Sequence, residues 1–444
     1  MHPDLRKHVR YLVSGGGWAF SGKVLAMAVG VAANAILTRL LSPDEAGIYF
    51  LIMSIGAVAV LVAQMGLSQA VVRYIAETSG AGCESRIRDT VLKSFLVVAA
   101  ASGLIAGLYA VSVSSWGVFL FHSRMMSVGS ILVAGWIVLT SLRTLAAECL
   151  RGFHDIRLAT LFEGLLTSVL FFLLMLWIWM DGQAVSLHRV ILLTVLAALV
   201  SAACALLAVW MKVSRLAYEK RVSMKELLRT GIPLLVSNLI VVLMTTFGLW
   251  AVGFLTTAAD TALYGAAMRL VVLVQFPLLA LNAIVPPMVA SMNARNETQA
   301  LERILRLLAS ASFFAAVCVM SIFTLWGKDI LGMLFGPYYA GAYWILLLLG
   351  MGIVANAWAG FCGPVLMMTG YQKELMRLSL TASAISLPAT VISGALFGAE
   401  GVAVGISVGM ALLHVLMLVA VHRKLGIRTY SIGIRQFRTM LHAR

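Results

Sequence analysis

Lys23 is the only charged residue in the run from Tyr11 to Thr38. A charge left in hydrocarbon costs about 3 kcal/mol or more, so such a residue faces a cavity, meets a partner helix, or snorkels to water. Its spacing from Asn34 is close to a whole number of helical turns. The two therefore share a face, with Met27, Gly30 and Thr38 beside the same stripe. This polar seam with one cation suits an anion, or equally a helix contact. Farther along, Arg143, Glu148 and Arg151 fall within one apolar stretch and Glu163 within the next. Glu148 and Arg151 are three residues apart and can pair on one helix face. Glu163 can pair with Arg157 or with a neighbouring helix, and either acid could instead carry a coupling proton.

Other motifs lead nowhere. Gly17 to Lys23 fits G-x-x-x-x-G-K, yet Val24 stands where a nucleotide loop needs Ser or Thr, and no strand precedes it. The five cysteines, Cys83, Cys149, Cys204, Cys318 and Cys362, are scattered singly, which indicates neither a disulfide framework nor a metal site. No cofactor motif is present. Gly401, Gly405 and Gly409 recur every fourth residue, which permits close helix packing.

The elements that must hold these residues follow from composition. Of 444 residues 61% are hydrophobic and 11% charged, with mean hydropathy +0.98, which is the balance of a polytopic, all-α membrane protein. Twelve candidate spans are read at 11–39, 46–72, 90–112, 126–150, 157–180, 187–211, 230–256, 262–290, 303–326, 340–368, 375–397 and 400–421. The first is an uncleaved span, since no small-residue cleavage site interrupts it. The net charge of +15 would suggest nucleic acid in a soluble protein, but here its distribution decides otherwise. With the N-terminus in the cytoplasm, the outer side keeps only Arg39, Arg124, Arg189, Arg269 and Lys328, so both termini are expected to be cytoplasmic. The outer connections are too short to build a catalytic site, so an enzyme is not expected.

Sliding the chain on itself by about 215 residues reveals a repeat. Tyr49 falls on Tyr264, Trp116-Gly117 near Trp326-Gly327, and Arg151 to Asp155 near Thr369 to Lys373. The expected organisation is a six-helix bundle over 1–211, a basic cytoplasmic linker over 212–229, and a second bundle with a basic tail over 230–444. Six is even, so the repeats are parallel. Transporters of this build hold substrate between the halves and expose it alternately to each side.

Two stretches then resemble a known family. Leu37-Thr-Arg-Leu-Leu-Ser-Pro-Asp-Glu-Ala-Gly-Ile-Tyr49 and Gly66-Leu-Ser-Gln-Ala-Val-Val-Arg-Tyr-Ile-Ala-Glu77 look like the opening helices of the polysaccharide transporter family, the O-antigen and exopolysaccharide flippases. Tyr264 to Leu270 and Leu334 to Ala340 are similar to its recurring pieces in the second half. The resemblance implies the multidrug/oligosaccharidyl-lipid/polysaccharide flippase superfamily and a V-shaped central cavity. It also implies translocation of a polyprenyl-pyrophosphate-linked oligosaccharide to the outer leaflet of the bacterial cytoplasmic membrane. The partners are then an anionic lipid-linked glycan, membrane lipids, and glycosyltransferases or a polymerase of the pathway, with no nucleic acid. On this reading Lys23 and Asn34 line the cavity and Arg269 looks into it. Arg73 resembles the arginine of the family motif, against its alternative as a positive-inside anchor. Asn238 would meet sugar hydroxyls or a neighbouring helix, and Glu148 and Glu163 would serve in coupling. The competing expectation is a multidrug or organic-ion exporter of the same superfamily, which would want acids in the cavity.

Overall fold

A computed structural model describes residues 3–80, 85–113, 124–127, 129–182, 185–216, 224–282, 284–295 and 297–431. The described residues hold helices and no strands, as lipid requires: a chain this apolar must satisfy its backbone groups inside each segment. Among the described residues ten helices are long and apolar enough to cross a bilayer, and the chain is a multi-pass membrane protein. Contacts divide it into two units, Met1–Leu243 and Met244–Arg444.

The first unit contains α1 (Pro3–Leu40), α2 (Pro43–Ala63), α3 (Leu67–Gly80), α4 (Ser85–Ser112), α5 (Ser130–Gly152), α6 (Ile156–Asp181), α7 (Leu187–Val213) and the start of α8 (Met224–Leu255). Its hub is α5, which packs against α2, α3, α4, α6 and α7 and buries Val133, Ile137, Leu145 and Leu150, while α1 lies along α6. The second unit continues α8 and adds α9 (Ala258–Leu281), α10 (Val285–Ala294), α11 (Thr298–Phe335), α12 (Tyr343–Ala359), α13 (Cys362–Met368) and α14 (Gln372–Leu425). Here α12 is the hub, packed against α9, α11 and α14.

The two units carry matching local devices. Ser42 and Glu45 form a reciprocal capping box at the start of α2, and Thr257 and Asp260 form one at the start of α9, the same offset of about 215 residues apart. Each box is followed at the same interval by a buried tyrosine, Tyr49 or Tyr264. Farther on, the Asp155 N–H donates to the Leu150 carbonyl across left-handed His154, and the Tyr371 N–H donates to Leu366 across left-handed Gly370, both at 2.9 Å. The aligned motifs at 151–155 and 369–373 are therefore helix-terminating turns.

Pro286 and Pro287 occupy the first turn of α10, after α9 ends at Leu281, where a missing N–H does no harm. Gly398, at φ 63° and ψ −145°, breaks the 54-residue α14 into arms over 372–397 and 399–425, each about 40 Å long. Only glycine is comfortable with that backbone. The arms then close on each other: a Cβ on Gly405 would sit 2.5 Å from Thr390 Cα, and Gly409 faces Ser386 as closely. The glycine stripe is thus consumed inside the chain. Replacing Gly405 with Leu is expected to lower stability in detergent by about 3 kcal/mol, because backbone must move to admit it. An unchanged melting temperature would show that the arms are loosely packed.

Beyond α14, residues 426–431 strap the break between α12 and α13. The Ser431 N–H donates to the Trp358 carbonyl at 2.9 Å, the Thr429 hydroxyl donates to the Ala359 carbonyl at 3.2 Å, the Tyr430 ring stacks on Trp358, and the Arg306 guanidinium lies over the Tyr430 ring, 5.3 Å from its centroid.

Candidate functional site

Three helices of the first unit bring charges together inside the membrane-spanning region. The approach of α1 to α6 is made by Gly22, where a Cβ would meet Thr160 Cγ2 at 2.5 Å. The bare backbone at that crossing puts the next residue, Lys23, against α6, with its ammonium 3.4 Å from Glu163 Oε1. The other carboxylate oxygen of Glu163 accepts from Arg151 on α5 at 2.7 Å, and Arg151 also donates to Glu148 at 2.6 Å. A chain of alternating charge therefore runs Lys23, Glu163, Arg151, Glu148 across α1, α6 and α5.

Glu163 is aimed by a local defect in its helix. Residues Leu161–Leu165 form a π turn, which widens the ring and displaces carbonyls from their usual partners. The buried Arg143 guanidinium on α5 takes up the slack, donating to the carbonyls of Phe162 and, at 2.6 Å, Glu163. Arg157 does not join the acids; its guanidinium lies over the Trp18 ring, 5.9 Å from the centroid. Three cations, Lys23, Arg143 and Arg151, thus stand against two acids.

Beside this chain is a cleft of about 220 Å³ lined by Lys23, Glu163, Gly22, Ala26, Thr160 and Gly164. The Lys23 side chain is 61% exposed and Glu163 32%, so the salt bridge is reachable from the cleft, whereas Glu148, at 13%, is enclosed. Glu163 lies about 10 Å along α6 from its first residue, so Lys23 meets α6 in the first half of that span.

Lys23, Glu148 and Glu163, singled out separately in the sequence, are one cluster. Asn34 is not in it: it lies three turns along α1 and its amide donates back to the Gly30 carbonyl at 2.7 Å. In the second unit, Arg269 is half-buried on α9 and donates to the Gly265 carbonyl one turn back at 3.2 Å. Asn238 is half-buried on α8. The side chain of Arg73 lies outside the described residues. Sequence reasoning missed the structural part played by Arg143. Its one signal was an arginine well inside an apolar span, which demands a partner.

Residues 12–293 match the family described as polysaccharide biosynthesis protein. The chain belongs to that family. The motifs at 37–49 and 66–77 had implied as much, and the matched stretch of this polysaccharide biosynthesis protein includes every residue of the charged cluster. No curated protein matches it. Among solved structures, it is similar to an inward-facing multidrug resistance MATE family transporter of the MOP superfamily, with TM-score 0.75, 16% identity and coverage of 94% of this chain and 96% of the other. It is also similar to the lipid II flippase MurJ in an inward closed conformation, with TM-score 0.68, 14% identity and coverage of 95% and 89%. A third is a MOP superfamily transporter from Pyrococcus furiosus, whose binding pocket is described as of reverse polarity, with TM-score 0.64, 14% identity and coverage of 94% and 95%. At these identities the likeness is one of fold, and the fold is that of MOP superfamily transporters.

Proposed function

We propose that the protein flips a polyprenyl-pyrophosphate-linked oligosaccharide from the cytoplasmic to the outer leaflet of a bacterial cytoplasmic membrane by alternating access. Both termini are cytoplasmic on this reading, and the basic stretch 212–229 links the two halves. The observation that carries the proposal is the cationic surplus of the cluster: Lys23, Arg143 and Arg151 against Glu148 and Glu163, with Lys23 open to a cleft. A pyrophosphate cannot enter a bilayer bare. An ammonium held by one carboxylate can be handed to it, because phosphate oxygens offer the same charge-assisted hydrogen bond. Glu163 would then keep Arg151 as its partner and could take up a proton, which links substrate movement to an ion gradient. Arg269 would supply a second cation from the other half, and Asn34 and Asn238 would meet glycan hydroxyls. Glycosyltransferases or a polymerase of the same pathway would supply and consume the glycan. An exporter of organic cations would want the opposite balance, acids in excess, at such a cluster.

The test is translocation in liposomes by the purified protein. A polyprenyl-pyrophosphate oligosaccharide trapped in the inner leaflet should become reachable by an impermeant glycan probe, faster than in protein-free liposomes. Replacing Arg269 with Ala should slow this about tenfold while leaving membrane insertion intact. Failure to move any pyrophosphate-linked glycan would overturn the proposal.

A further inference from the structure

A second cleft in the first unit has nothing to do with the charged cluster. It measures about 580 Å³ and lies between α4 and α7, with α5 as its floor. Its walls are apolar: Leu92, Phe95 and Ala99 from α4, and Leu206, Val209 and Trp210 from α7. Leu142 of α5 closes the floor, and the next residue, Arg143, reaches the other way to α6. Leu92, Leu207 and Trp210 remain exposed, so this is a slot open to the surrounding medium. In a membrane that medium is lipid, so the slot is open to alkyl chains.

What the slot holds at its end makes it selective. Arg88 lies one helical turn before Leu92 on the same stripe of α4, since 88, 92, 95 and 99 follow helical periodicity. Its guanidinium reaches the turn that follows α7, donating to the Leu216 carbonyl at 3.4 Å, and so lies beside the end of the slot marked by Val91 and Val213. Arg215 is exposed at the same end of α7, and Lys93 and Lys212 are nearby, paired with Asp89 and Asp155 at 2.7 and 2.6 Å. An apolar slot about 12 Å long, with a guanidinium beside its end near the start of α4, has the two parts of a lipid phosphate site.

We infer that the α4–α7 slot binds an anionic phospholipid of the surrounding membrane, with an acyl chain along Phe95, Leu206 and Trp210 and the headgroup phosphate at Arg88. The site belongs to one unit, and α5 separates it from Lys23 and Glu163, so it is a lipid site distinct from the one proposed for the transported glycan. It also rests against α5, the helix that carries Arg143 and Arg151. Occupancy would therefore brace the hub of the unit.

Trp210 provides the readout. The full-length protein is reconstituted into vesicles containing either dibrominated phosphatidylglycerol or dibrominated phosphatidylcholine, since bromine quenches only indoles in contact with the chain. The Trp210 contribution is the difference between the native chain and Trp210→Phe. It should be quenched about fivefold more effectively by the anionic lipid. Arg88→Gln, which keeps a donor for Leu216 but drops the charge, should abolish the preference, and Arg88→Lys should keep most of it. Moving the reporter with Leu207→Trp in the Trp210→Phe background should reproduce the pattern, which guards against a misfolded variant. Equal quenching by both lipids, or a preference that survives Arg88→Gln, would overturn the inference. So would displacement of both brominated lipids by polyprenyl phosphate with no preference between them, which would mark the slot as a substrate site. No step depends on transport, so the outcome is independent of which glycan is moved.

Discussion

An Arg143→Met chain should insert in the membrane yet unfold in detergent at a markedly lower temperature, having lost about 3–5 kcal/mol. Methionine fills much of the same volume, so the loss is not one of packing. Arg143 is 7% exposed, and its Nη1 serves the carbonyls of Phe162 and Glu163, which the π turn has pulled away from ordinary helical partners. Without it, two acceptors face a core that offers no water, and each unsatisfied group is expensive there. The turn would have to revert to regular helix, rotating Glu163 away from Arg151. Arg143→Lys should fall between the two, because an ammonium keeps enough donors for both carbonyls but sits on a side chain too short to place them where Nη1 does. The buried thiols of Cys149 and Cys362 give the measurement, since a thiol-reactive dye reaches them only on unfolding. A melting temperature within about 2 °C of the native chain would show that the π turn stands without its arginine.

How far these features could be foreseen depends on whether their cause is local. The pairing of Glu148 with Arg151 was read from their spacing; the capping box at Ser42 and Glu45 and the helix-ending turn at 151–155 are as local, but those residues were read only as parts of a motif and a repeat. The repeat was readable, because the same local devices recur at Thr257 and 369–373. The π turn was not readable. Leu161-Phe-Glu-Gly-Leu165 has nothing to distinguish it from ordinary helix, and its carbonyls are met by Arg143, which donates to Phe162 and Glu163 from some twenty residues away. The meeting of Lys23 with Glu163 was equally hidden. Each looked like a lone charge needing a partner, and the partner was chosen by a non-local contact, the bare face of Gly22 against Thr160. The family could be named from two motifs.

The Lys23–Glu163 pair makes a prediction in which two single substitutions move in opposite directions. If pyrophosphate takes the ammonium from the carboxylate during transport, the two anions compete for one cation. Lys23→Ala should then weaken binding of the lipid-linked glycan about tenfold, a modest figure because the side chain is 61% exposed and partly screened. Glu163→Gln removes the competitor, so it should bind the same lipid more tightly yet turn over more slowly, because Lys23 is no longer drawn back to reset the site. Tight binding without turnover is the signature of a stabilised ground state. The double variant should show neither the gain of the one nor the full loss of the other, since with both partners gone there is no exchange left to perturb. A purely structural salt bridge behaves differently. Each single substitution would then lower the melting temperature, transport would fall in proportion to folded protein, and binding per folded molecule would stay constant. Measured binding and flipping rates on the four chains, normalised to the protected Cys149 fraction, separate the two cases. Changes of the same sign in Lys23→Ala and Glu163→Gln would make the pair a brace between α1 and α6 rather than a switch.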